Sequence, residues 1–397
     1  MSLAQRLRQN AIGTQRTLLG VGPMSQTCVA ATAELAAEYN VPLMLIASRR
    51  QIDCAAFGGG YVENWTTEAF AETVKQAAPD GRLILCRDHG GPWQGNNEAS
   101  FSADEAMARA KQSYAADIAS GFGVIHIDPS LSPSGEPDHA TIMKRVYELL
   151  GFCWEEAQKR GADIVFEIGT EEQHAEVGNP EELAQTLDDV ATFCTTNGIP
   201  MPVFMVAQTG TKVLEMENVG LFEKMLNMPH GAAHTTTITG ALPPHAKIPA
   251  IVELFNQRGI MFKQHNTDYL SNHALQQVTR LGVHAANVAP EFGVAETKTI
   301  VHTLRSNGMA DVAETFVTLA NASGKWGKWL KAGTHATAED KATICGHYIF
   351  ATPEGRALLA EATRTLAAKG VDLPALRHHA VKAGIARYIE NFGWPRR

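Results

Sequence analysis

The chain has 397 residues, 45% hydrophobic and 19% charged, enough to bury a full core as one large domain with an addition or as two domains. Its formal charge of -8 and pI near 6.0 arise from mixed charges with no basic stripe, which argues against nucleic acid as a partner. Six scattered cysteines without a CxxC pair argue against a zinc knuckle or a disulfide framework and fit a reducing cytoplasm; no apolar leader and no run of about 20 apolar residues suggests secretion or a membrane span.

Eight β-type runs alternate with longer helical spacers: Leu18–Pro23, Leu43–Ser48, Leu83–Asp88, Val124–Asp128, Asp163–Thr170, Val203–Thr209, Ile260–His265 and His284–Pro290. The first run holds Gly20 and Gly22 but lacks the third glycine of a dinucleotide fingerprint, and Gly58-Gly59-Gly60 follows no strand directly. Arg49 and Arg50 follow the second run, where one guanidinium could clamp a phosphate or carboxylate and the other would be solvated. The third run ends in Arg87-Asp88-His89-Gly90-Gly91-Pro92, an acid and an imidazole placed where the strand stops. Beyond it, Ser102 with Glu105 forms a capping box.

The fourth run carries His126 and Asp128, two apart and therefore on one face. The fifth carries Glu167 and leads to Thr170 and Glu171. Asn179-Pro180-Glu181-Glu182 then supplies a helix start, with Leu183, Leu187 and Val190 at helical spacing. The sixth leads to Gln208, the seventh to Lys263-Gln264-His265-Asn266-Thr267-Asp268, and the eighth holds Asn287. From about Ser306 the chain becomes Ala- and Leu-rich, broken at Gly324, Gly327, Gly333 and Pro353. Trp326 and Trp329 there suit packing or a subunit contact.

Strand and helix repeated eight times, with near-continuous apolar strands, predict a (β/α)8 barrel over residues 1–305 with a helical extension over 306–397. An open doubly wound sheet is the competing arrangement. In a barrel, the polar groups after successive strands form one shell at the C-terminal mouth. His89 and His265, with Glu167 or Glu171 and His234, then become candidate ligands of a divalent metal, zinc or else manganese or cobalt. Alternatively these histidines only hydrogen-bond within the mouth. Asp88 is the candidate proton carrier, unless it caps the following turn, with Asp128 and Glu171 as further catalytic carboxylates. Arg49, Arg50, His126, Gln208, Asn266, Asp268 and Asn287 are candidate substrate binders. His230, His302, His378 and His379 fall outside the strand ends, and a G-x-S-x-G elbow is absent.

With these motifs in order, the chain resembles the accessory, Z-type subunits of class II tagatose-bisphosphate aldolases. The likeness runs through Gln51 to Tyr61 with Phe57-Gly58-Gly59, then Asp88-His89 with Gly91-Pro92. It continues through Gly121-Phe122 with Ile125 to Asp128 and Ser130, then Ile168 to Glu171, His265 with Thr267-Asp268-Tyr269, and Val288 with Pro290. The resemblance implies a TIM barrel related to metal-dependent aldolases, and it carries over Asp88, His89, Glu171 and His265 as site residues. It also implies two possible roles: a non-catalytic stabiliser of an aldolase partner, or, as in related proteins, a ketose 4-epimerase.

The sequence departs from that family at the eighth strand. Asn287 stands where the family has a lysine, Glu291 follows, and Thr297 replaces an arginine. The loss of two cations and the gain of a carboxylate argue against a second phosphate there and point to a substrate with one anionic group or none. Pro229 to Pro244, with His230 and His234, reads as an insertion. The expected function is thus a metal-dependent enzyme acting on a ketose or ketose phosphate by aldol cleavage or C4 epimerisation. It would be a homo-oligomer acting on a small sugar, with an aldolase catalytic subunit as the partner in the accessory alternative.

Overall fold

A computed structural model of the chain describes residues 1–135, 137–170, 180–226 and 244–396. Eight parallel strands close into a barrel, which removes the open-sheet alternative: β1 Leu18–Val21, β2 Leu43–Ser48, β3 Leu83–Gly90, β4 Val124–Ile127, β5 Val165–Ile168, β6 Phe204–Val206, β7 Met261–Gln264 and β8 Ala285–Val288. Each strand pairs with its neighbours in sequence, and β8 closes on β1 through Leu18↔Ala285 to Val21↔Val288. Seven strands fall within the expected runs. Only β3 overruns its run, by two residues.

The strands are apolar because a parallel sheet is covered on both faces. β1, β4 and β5 are buried throughout, and their Leu, Val, Ile and Phe side chains join a single core with the surrounding helices. Helix Leu3–Ala11, started by a Ser2/Gln5 capping box, closes the N-terminal end of the barrel: Leu3 N donates to Asp163 Oδ2 at 2.8 Å and Arg6 reaches Gly81 O at 2.8 Å. Helix Ala103–Ala119 begins with the Ser102/Glu105 box, and Leu183, Leu187 and Val190 face the core from helix Pro180–Asn197.

The C-terminal region is helical. Helices Ala310–Ala322, Ala338–Cys345 and Pro353–Ala367 share a second apolar cluster with Ile300, Val301 and Leu304. The last helix, Leu373–Asn391, returns to the barrel and places Val381, Ile385, Tyr388 and Ile389 in the main core. Trp394 anchors the end, donating from Nε1 to Thr17 O at 2.8 Å. All six cysteines are free and buried. Among the described residues no helix is long and apolar enough to cross a membrane.

Candidate active site at the barrel mouth

Alternation along a strand sends neighbouring side chains to opposite faces, so Asp88 and His89 should not share one. Arg87 obeys the rule and points outward, where it is fully buried and donates to Asp117 at 2.6 and 2.7 Å. The register between β3 and β4 then shifts between Arg87 and Gly90, and His89 takes a φ of 42°. This bulge turns both Asp88 and His89 toward the mouth, a common use of bulges beside functional sites.

Asp88 lies at the centre of three imidazoles. Its Oδ1 is 3.6 Å from His126 Nδ1 and 3.8 Å from His265 Nε2, and its Oδ2 is 3.9 Å from His89 Nε2. The rings of His89, His126 and His265 form a near-equilateral triangle with centroids 5.2, 5.3 and 5.5 Å apart. Glu167 completes the group, its Oε1 being 3.0 Å from His265 Nε2 and 3.9 Å from His126 Nδ1. Strand register accounts for this, because His126 is the β4 partner of Glu167 on β5. Ligand-capable atoms of Asp88, His126, Glu167 and His265 all lie within 4.8 Å of one another.

The next layer of contacts orients these groups. His89 Nδ1 meets Asp128 Oδ2 at 2.7 Å, and Asp128 is itself held by Gln94 Nε2 at 2.8 Å and Ser130 Oγ at 2.6 Å. Asn287 Nδ2 donates to Asp88 Oδ1 at 3.1 Å and lies 3.1 Å from His265 Nε2. Lys263, completely buried, places Nζ 2.5 Å from Glu167 Oε2. Glycine makes room at two points: a Cβ on Gly169 would come within 2.6 Å of His126 Nε2, and one on Gly20 within 2.3 Å of Asn287 Oδ1.

The charges follow from these contacts. Burial opposes ionisation of Asp88, but His89, His265 and His126 overcome it and hold the carboxyl far below its usual value. Burial likewise opposes ionisation of Glu167, and Lys263 with the two neighbouring histidines outweighs it, so its pKa is lowered. Burial works against a charge on His89, yet Asp88 and Asp128 raise it to about 9. His265 is lowered, chiefly by burial.

Several expected site residues have other placements. Arg49 is not a ligand clamp: it is fully buried, donating to Glu98 at 2.6 and 3.0 Å, to Asp53 at 3.1 Å and to Gly91 O at 2.9 Å, so no donor is left for a substrate. Asp268 has a structural task as well: its Oδ1 caps the helix Pro290–Ser306 by accepting from Ala289 N at 3.0 Å and Glu291 N at 2.9 Å. His126, expected to bind substrate, belongs to the ligand-capable cluster, and Asp88 is in it too, while His89 stands beside it. Arg50 is exposed at the rim and Gln208 is buried below it. Asn266 follows His265 in a left-handed turn, φ 56°, whose carbonyl accepts from Asn218. Glu171 and His234 lie outside the described residues.

Three contributors had no role assigned from sequence: Lys263, Gln94 and Ser130. Ser130 stood in the motif after the fourth run, and Lys263 left a signal as a lysine in an apolar strand two residues before His265 and thus on its face.

The donor set suits a divalent cation. Two or three imidazoles with one or two carboxylates are ligands for zinc, manganese or cobalt, and a tetrahedral zinc with usual bond lengths separates ring centroids by about 5 Å, close to the triangle seen here. His126 Nδ1 accepts from His89 N at 3.1 Å, which leaves Nε2 as the nitrogen for a ligand, and buried His126 Nε2 and Asn287 Oδ1 have no hydrogen-bond partner among the described residues. The His89–Asp128 contact is the carboxylate support that metal-binding histidines commonly have.

Comparison with known proteins agrees with this architecture. Residues 3–308 match the family described as D-tagatose-1,6-bisphosphate aldolase subunit GatZ/KbaZ-like. A probable tagatose 6 phosphate kinase from Sinorhizobium meliloti 1021 superposes with a TM-score of 0.75 at 20% identity, over 95% of this chain and 100% of that one. The fructuronate-tagaturonate epimerase UxaE from Cohnella laeviribosi gives 0.55 at 12% identity, over 95% and 81%. Fructose-bisphosphate aldolase from Campylobacter jejuni gives 0.55 at 12%, over 99% and 94%. At these identities the likeness is one of fold.

Proposed function

The chain belongs to the GatZ/KbaZ-like family, and from that premise we propose that it is a divalent-metal-dependent carbohydrate enzyme acting on a ketose or ketose derivative by retro-aldol cleavage or C4 epimerisation. The observation that carries this reading is the triangle of His89, His126 and His265 around Asp88, with Glu167 bonded to His265. A scaffold has no physical need to gather three imidazoles and two buried carboxylates at a barrel mouth.

His89, His126, His265 and Glu167 would hold the metal, and Asp88 would move the proton. A bound divalent ion would supply the positive charge that stabilises negative charge developing on a substrate carbonyl or hydroxyl oxygen. The chain's own residues do the rest. Asp88 is ionised at neutral pH and so can accept a hydroxyl proton, while Asn287 fixes its Oδ1. Asp128 sets the orientation of the His89 ring through Nδ1, which leaves Nε2 directed at Asp88. Lys263 keeps Glu167 charged and turns its free oxygen toward His265. Cleavage and epimerisation share the first proton transfer and differ in whether the fragments leave before they recombine.

The test is metal content by elemental analysis, paired with turnover on a panel of ketoses followed by NMR. Wild type should hold a near-stoichiometric divalent ion, His89→Ala and His265→Ala should lose it, and Asp88→Asn should keep it while losing turnover. A folded wild type that takes up neither zinc, manganese nor cobalt, yet raises the activity of an added aldolase, overturns the reading in favour of an accessory subunit. Loss of metal in Asp88→Asn would make Asp88 a ligand and refute its assignment as the proton carrier.

A further inference from the structure

Three of the four hydrogen bonds made by the Arg49 guanidinium go to one target, the loop between β3 and the helix Ala103–Ala119. Nη1 donates to Gly91 O at 2.9 Å and to Glu98 Oε2 at 3.0 Å, and Nη2 donates to Glu98 Oε1 at 2.6 Å. The rigid fork of a guanidinium makes this paired grip on a carboxylate, and a lysine does not. From behind, Nε donates to Asp53 Oδ2 at 3.1 Å, and Asp53 Oδ1 accepts from Ser113 Oγ at 2.7 Å in the helix itself. The Arg49 and Glu98 side chains are both fully buried. One side chain at the end of β2 therefore pins the loop at residues 91 and 98.

The loop has need of such a hold. His89, Trp93 and Asn97 take φ values of 42°, 59° and 60°, in the left-handed region that residues other than glycine enter at a cost and keep only where surrounding contacts impose it. Space for the grip is preserved at Gly95, where a Cβ would come within 2.6 Å of Glu98 Oε1 and 2.8 Å of Arg49 Nη2.

Between the two pinned points stands Gln94, nearly buried, whose Nε2 donates to Asp128 Oδ2 at 2.8 Å. The same oxygen meets His89 Nδ1 at 2.7 Å. A path of short contacts thus runs from Arg49 through the loop to Gln94, Asp128 and the His89 ring. Gly91, whose carbonyl Arg49 holds, also stands two residues after His89, next to the bulge that turns Asp88 and His89 into the mouth.

We propose that Arg49 is a positioning residue of the metal site, setting the His89 ring through the loop, Gln94 and Asp128 without touching metal or substrate. This rests on the metal-dependent reading and goes beyond it by assigning the group that orders one of the ligands from outside the mouth. An Arg49 that merely neutralised Glu98 would do none of this. The two roles separate, because a lysine keeps the charge and loses the fork, while Arg49→Met/Glu98→Gln removes both charges and leaves the loop unpinned. Arg109, which shares Glu98 Oε1 at 2.9 Å, is 30% exposed and keeps its solvation when that carboxylate is neutralised.

The experiment loads the full-length protein with cobalt(II) and measures affinity by competition with a chromophoric chelator, the visible absorption that reports ligand geometry, and the urea midpoint. The variants are Arg49→Lys, Arg49→Met/Glu98→Gln, Gln94→Leu and Arg49→Lys/Gln94→Leu. The first three should each weaken cobalt binding about tenfold and change the spectrum in the same way, as loss of support behind a metal-binding histidine warrants. Arg49→Lys/Gln94→Leu should cost no more than Gln94→Leu alone, because both substitutions cut one path. Arg49→Lys carries the test if Arg49→Met/Glu98→Gln does not fold. Wild-type affinity and spectrum in Arg49→Lys or in Gln94→Leu overturn the proposal, as does a change confined to the urea midpoint. An additive loss of about a hundredfold in Arg49→Lys/Gln94→Leu shows that Arg49 acts apart from Gln94 and also overturns it. In each of these cases the metal-dependent reading stands. A wild type that takes up neither cobalt, zinc nor manganese defeats that reading, and the positioning role with it.

Discussion

Replacing Lys263 with Met tests the buried charge pair beneath the site. Lys263 Nζ and Glu167 Oε2 are 2.5 Å apart with both side chains 1% exposed, and the ammonium also lies 5.4 Å from the Phe204 ring centroid. Methionine fills similar space but leaves Glu167 charged, buried and without a cation of fixed charge, a change that costs about 3–5 kcal/mol when one partner of a buried pair is removed. Urea unfolding of chelator-treated protein at neutral pH should show that loss for Lys263→Met. The double variant Lys263→Met/Glu167→Gln should recover about 2 kcal/mol or more of it, because no unpaired charge remains. The pH dependence has a definite sign. In wild type the folded Glu167 carboxyl is held below its unfolded value, so its contribution is present above about pH 4 and is lost as pH falls through the folded value. In Lys263→Met burial acts with less opposition, and the deficit should narrow as pH drops from about 8 to about 5, where protonating Glu167 relieves it. A single-variant cost below about 1 kcal/mol, or a double variant whose loss equals the sum of the two singles, would refute the reasoning.

Two further outcomes follow from the same geometry. Gly169→Ala should leave the fold intact but push the His126 ring away, since the new Cβ would approach Nε2 to 2.6 Å; divalent-ion affinity by competitive titration should fall about tenfold, and an unchanged affinity would remove His126 from the ligand set. Asp268 is raised to about 7 by burial and then by Glu291, so relative to the unfolded chain its contribution to stability is full below about pH 4 and is lost as pH rises through 7. Asp268→Asn keeps an oxygen for the two backbone N–H groups without the charge, and should gain on wild type by roughly 2–4 kcal/mol between pH 5 and pH 8; a difference that does not vary with pH refutes the burial argument.

The barrel was legible in the residues alone. Eight apolar runs spaced by helical segments repeat a local pattern, and local patterns are what side-chain periodicity encodes, so the strands and the Ser102/Glu105 box lie where expected. The polar strand ends were legible for the same reason, because a strand that stops burying itself shows it in composition. Which of those polar groups meet was not legible. Arg49 and Arg50 are adjacent and chemically identical, yet one is sealed among Glu98, Asp53 and Gly91 while the other stands at the rim. Asp268, at the end of one β-run, caps with its Oδ1 the helix that follows the next. His126 enters the cluster because strand register sets it beside Glu167, and Asp88 and His89 face the same way only because of a bulge at the end of β3. The sequence by itself determined the barrel and the kinds of group at its mouth, through periodicity and composition that act within a few residues. The tertiary structure alone decided which groups became partners, because pairing depends on register, bulges and competition for buried counterions across strands far apart in the chain.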